Sequence, residues 1–95
     1  MTTFDVAHIR EQGQDMIFVP MRPEFGRKNP SDQASIESAL MSAARGASLA
    51  GQVVTVWNAG GGRMAFRGPR QWHPFLASIS LKWVSANINK RITLR

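Results

Sequence analysis

The chain has 95 residues, 43% of them hydrophobic, which is enough for one domain's core and excludes wholesale disorder. It has no cysteine, so disulfides and thiolate chemistry are excluded, and no apolar run approaches the roughly 18–20 residues that span a bilayer. The net charge of +6, with nine arginines among twelve bases, favours an anionic partner and argues against an acidic or membrane-embedded surface. The opening MTTFDVAHIREQ lacks the basic and long apolar regions of a signal peptide, so a soluble, cytoplasmic protein is expected.

In chain order, Val6–Glu11 and Met16–Met21 predict a β-hairpin with Gln12-Gly13 at its tip. Setting Glu11 opposite Gln14 brings Arg10 to Asp15, a favourable cross-strand pair. The same register pairs His8 with Ile17, Ile9 with Met16, Ala7 with Phe18 and Val6 with Val19. The run Met16-Ile17-Phe18-Val19 is apolar on both sides, the mark of a central strand. RPEFGRKN, residues 22–29, is a loop anchored by Phe25. Asn29-Pro30-Ser31-Asp32 is a helix start: a capping asparagine, proline in the first turn and an acid three residues on. Ile36, Leu40, Ala43, Ala44 and Ala47 form the apolar stripe of that helix, which ends by Gly51.

Val53–Trp57 is a β-branched and aromatic strand, Asn58–Gly62 a turn, and Arg63–Arg67 an alternating strand closed by Gly68-Pro69. A five-residue loop sets Trp57 opposite Arg63, Thr55 opposite Ala65 and Val53 opposite Arg67, with Val56 facing Met64 and Val54 facing Phe66. A second helix is expected from Trp72 to Ile88, with Pro74 in its first turn. Its competitor is a strand over Ile79–Trp83 paired with Arg91–Leu94. The expected fold is α+β, ββαββα, a four-stranded, largely antiparallel sheet with two helices packed on one face. Residues 4–48 and 51–91 then repeat the order hairpin, loop, helix within a single domain.

With both helices on one face, the opposite face holds Val6, His8, Arg10, Ile17, Val19, Val53, Thr55, Trp57, Arg63 and Arg67. Arginines for phosphates beside an indole for stacking is the combination used on single-stranded nucleic acid. Trp57, Arg63, Arg67 and Arg70 are the central candidates, with Arg10 and Lys82 adding charge. Val6, Ile17, Val19 and Val53 are candidates for a self-association interface, since monomers seldom expose such a patch. Arginine stems covering Trp57 with no partner would produce the same pattern.

All six acids lie in the first 37 residues, which carry a net charge of −2; the remainder carries +8 and no acid. Gly60-Gly61-Gly62 leads into a strand and lacks the lysine of a P-loop, so it is a hairpin tip. His8 and His73 have no companions at metal-ligand spacing, so neither a metal nor a cofactor is expected. The leading expectation is non-enzymatic binding of RNA or single-stranded DNA by a self-associating protein. A homodimeric adaptor with no nucleic-acid role comes second. A toxin-like endoribonuclease using His8 or His73 comes third.

Overall fold

The computed structural model describes residues 2–94. Five strands form one mixed sheet: β1 (Thr2–Glu11), β2 (Gln14–Pro20), β3 (Gln52–Asn58), β4 (Met64–Arg67) and β5 (Lys90–Leu94), in the spatial order β4-β3-β2-β1-β5. Three helices accompany it: α1 (Pro30–Gly46), α2 (His73–Leu76) and α3 (Leu81–Ala86). None is long and apolar enough to cross a membrane.

The first hairpin has the expected register, from Ala7↔Phe18 to Glu11↔Gln14, and Arg10 meets Asp15 at 3.3 Å. Its tip places Gln12 and Gly13 at positive φ, as a two-residue turn requires. Helix α1 starts as its sequence dictates: the Asn29 side chain accepts a hydrogen bond from the Asp32 N–H at 2.8 Å, and Pro30 occupies the first turn.

The sheet is more mixed than expected. A strand–helix–strand crossover brings β3 alongside β2 in parallel, with Phe18↔Val54 and Val19↔Thr55. A connection containing a 17-residue helix suits parallel neighbours, whereas antiparallel neighbours need only a short turn. A fifth strand also joins the sheet, as β5 runs antiparallel to the first half of β1, from Thr2↔Leu94 to Val6↔Lys90.

The helices lie on opposite faces, which corrects the two-helices-on-one-face expectation. The C-terminal segment, with Trp72, Leu76 and Val84, covers Ala7, Met16, Phe18, Val54 and Val56. Leu40 and Ala44 of α1 cover Val6, Ile17, Val19, Val53 and Ile92. The four residues proposed for an exposed interface are therefore core: Val6, Ile17 and Val19 are 0% exposed and Val53 is 3%. The two-sided apolarity of β2 is satisfied by helices on both sides, without a second subunit on that face.

The expected helix over Trp72–Ile88 is broken. A 3-10 turn over Arg70–Trp72 leads into α2, which stops after one turn. Ser78 Oγ donates to the Phe75 carbonyl at 2.6 Å, and Ser80 caps α3 by accepting from the Trp83 N–H at 3.1 Å. Serines that bond to nearby backbone interrupt a helix that the apolar periodicity alone would continue.

The β3–β4 register is shifted by two residues from the expected one, to Asn58↔Met64, Trp57↔Ala65, Val56↔Phe66 and Thr55↔Arg67. Gly60, Gly61 and Gly62 all adopt positive φ and close a shorter loop, with the Ala59 N–H donating to the Arg63 carbonyl at 2.7 Å. A shift of two preserves which side chain points to which face, so Val56 and Phe66 still share the core side.

Candidate nucleic-acid interface

The expected binding residues do not form one surface. Arg67 lies against α1, where its Nε donates to Glu37 Oε2 at 2.7 Å and its Nη1 to Gln33 Oε1 at 3.2 Å. Thr55 Oγ1 donates to the same Glu37 oxygen at 2.9 Å, and Gln33 Nε2 donates to the Phe25 carbonyl at 2.9 Å. This network joins sheet, helix and loop, and it commits Arg67 to structure. Arg10 is held by Asp15 near the first hairpin tip. By strand register it stands level with Gly51 while Arg63 stands level with Ala59, about 25 Å apart along the strands. Arg70 and Lys82 are exposed on the segment that covers the other face.

Trp57 is not an open stacking platform. It is half-buried, and its ring meets Phe25 edge-on at a centroid distance of 5.2 Å. Phe25 belongs to a 3-10 turn over Pro23–Arg27 that follows β2. The indole is tucked between this turn and the β3–β4 hairpin, leaving one side against a pocket of about 460 Å³ lined by Gly26, Arg27, Asn58 and Gly60 among others.

This pocket lies at the carboxyl ends of the parallel pair β2 and β3, the end of an α/β sheet where crevices form. Three bases missed as site residues by the sequence reading, Arg22, Arg27 and Lys28, lie in the loop at this end, and Arg63 lies in the hairpin tip beside it; all four are exposed. Arg22, Lys28 and Arg63 carry no ion pair among the described residues, while Arg27 meets Glu24 at 3.6 Å on the surface. The N-terminus of α1 points its positive dipole end the same way, partly answered by Asp32 in its first turn. Glu24 and Asp32 leave this end with a net positive charge from its bases. The signal that could have found it was the crossover: once β2 and β3 are parallel, residues 22–29 must sit beside the end of β3.

No family model matches the chain, and no curated protein or solved structure is significantly similar to it. The two histidines are separated as well. His8, on the α1 face, directs Nε2 to the Ala50 carbonyl at 2.8 Å. His73, on the opposite face, directs Nε2 to the Gly68 carbonyl at 3.2 Å and packs edge-on against Phe66. His8 ties the segment before β3 to the sheet, and His73 ties the start of α2 to the end of β4.

Proposed function

We propose that the protein binds single-stranded nucleic acid at the carboxyl end of β2 and β3. The supporting observation is a pocket lined by Trp57 and Arg27 at the end of the sheet where the loop carrying Arg22 and Lys28 and the hairpin tip carrying Arg63 also lie, all four bases being exposed. The bases attract phosphates, and the pocket accepts one unstacked base against the indole edge. A duplex, whose bases are paired and stacked, cannot use it. The proposed site retains Arg63 and Trp57, with Trp57 as a pocket wall and not as an open stacking plane, and leaves out Arg10, Arg67, Arg70 and Lys82.

The test is fluorescence anisotropy with a labelled single-stranded oligonucleotide across a salt series. Three or four neutralised phosphates give a slope of log K against log salt of roughly −2 to −3. Lys28→Glu with Arg63→Glu should weaken binding and flatten the slope, whereas Arg70→Glu with Lys82→Glu should leave both unchanged. Absence of binding at low salt, or equal loss from both double variants, overturns the proposal.

A further inference from the structure

We infer that, given the nucleic-acid reading above on which this rests, the pocket beside Trp57 distinguishes bases by their exocyclic group. It favours a carbonyl oxygen, as on guanine or thymine, over the amine of adenine or cytosine. The preference comes from the polar atoms of the pocket wall. Of the residues that line it, only Arg27, Trp57 and Asn58 have polar side chains, and all three offer donors.

Guanidinium and indole N–H groups can only donate. Arg27 meets Glu24 at 3.6 Å on the surface, which leaves most of its N–H groups to other partners. The Nε1 edge of Trp57 lies against Gly26, itself a lining residue. This N–H donates to no described residue. Because no described side-chain nitrogen or oxygen is both buried and unpartnered, it faces open space beside Gly26. Asparagine could turn either end of its amide to a ligand, but Asn58 Oδ1 accepts from the Gly60 N–H at 2.8 Å. Its Nδ2 is the end left over.

The indole donor is held in place by the fold. Phe25 packs edge-on against Trp57, and the Phe25 carbonyl accepts from Nε2 of the buried Gln33 at 2.9 Å. Gln33 Oε1 accepts in turn from Arg67 at 3.2 Å, which ties the Pro23–Arg27 turn to the sheet. A preformed set of donors is matched by an acceptor and opposed by another donor. Guanine O6 and thymine O4 accept, whereas adenine N6 and cytosine N4 donate. A site built from hydrogen-bonding groups rejects the ligand that leaves them unmatched.

Fluorescence anisotropy with a labelled short oligodeoxynucleotide, abasic except for one central base, tests the preference. Hypoxanthine, purine and adenine at the centre differ chiefly in carrying a carbonyl, a hydrogen or an amine at C6. The hypoxanthine probe should bind about 2- to 10-fold more tightly than the purine probe, the size of one hydrogen bond. The adenine probe should bind no more tightly than purine. Trp57→Phe, which keeps a ring and removes the N–H, should narrow the gap. Asn58→Asp keeps the acceptor for the Gly60 N–H and replaces the Nδ2 donors with an acceptor, so it should move the preference toward adenine. Its added negative charge weakens all three probes alike and cancels in the ratio. Equal binding of the three probes with the salt dependence intact would mean that the donors hold a phosphate; it overturns the base preference and leaves the interface standing. A gap that neither variant alters overturns the preference too. No binding of any probe at low salt overturns both readings.

Discussion

The indole of Trp57 rests directly on Gly26, leaving no room there for even a β-carbon. Gly26→Ala must therefore push the indole off the Pro23–Arg27 turn. The expected cost is about 1–3 kcal/mol, the range for overpacking a close contact. Urea denaturation monitored by far-UV circular dichroism measures it. Gly46→Ala is the control, since a β-carbon there meets nothing and alanine is the better helix former. If the pocket binds nucleic acid, Gly26→Ala weakens that binding too.

Arg63 and Arg67 look alike in sequence and should behave differently. Arg67→Ala leaves Glu37, 21% exposed, without its charged partner, and an expected loss of about 1–3 kcal/mol follows. Arg63→Ala, on an exposed tip, should stay within about 0.5 kcal/mol of wild type. Equal destabilisation of the two variants in denaturant would show that the Glu37 network contributes nothing special.

Asn89 acts as a side-chain extension of the sheet. Its Oδ1 accepts from the His8 N–H at 2.8 Å and its Nδ2 donates to the His8 carbonyl at 2.9 Å, as a paired residue's backbone would. Asn89→Ala should cost about 0.5–1.5 kcal/mol, since water can reach the two backbone groups of His8 that it frees. Amide hydrogen exchange should speed up in residues 90–94 before it does in β2 or β3.

Ile17 separates a core role from an interface role. Fully buried under α1, Ile17→Ala should cost about 2–5 kcal/mol, and the loss should not depend on protein concentration. A concentration-dependent loss, measured by denaturant midpoints over a wide range of protein concentration, would return Ile17 to an interface.

The parts of the fold legible in the sequence are those set by neighbours. The Arg10–Asp15 register follows from a two-residue turn and alternation, and the start of α1 follows from Asn29 and Pro30; both are local chemistry. The β3–β4 register was misjudged because three adjacent glycines permit several loop lengths, and only the face assignments survive a two-residue shift. The placement of α1 was legible but misread: Ile17 and Val19 on one side of β2, with Met16 and Phe18 on the other, already demand cover on both faces. Arg91–Leu94 was legible as a candidate strand, but its partner was not: it pairs with the first half of β1 at the far end of the chain and not with Ile79–Trp83. The candidate site was half legible. Trp57 and Arg63 stood out by composition, whereas Arg22, Arg27 and Lys28 gain meaning only once the crossover folds their loop against β3.

The pairing of β1 with β5 also sets an order of events during synthesis. The Asn89 contact with His8 spans 81 positions and the Arg91 contact with Asp5 spans 86, so the sheet's longest-range seam involves the segment that leaves the ribosome after all the other strands. Until residues 90–94 arrive, β1 is itself an open edge, with Val6 lacking its strand neighbour. A chain stalled or cut before Lys90 would present that edge to whatever extended backbone is near, including another stalled copy. A proteolytic nick between α3 and β5 would release β5 from its covalent tie to α3 and leave only its seam with β1 and the packing of Ile92 beneath α1 to hold that strand.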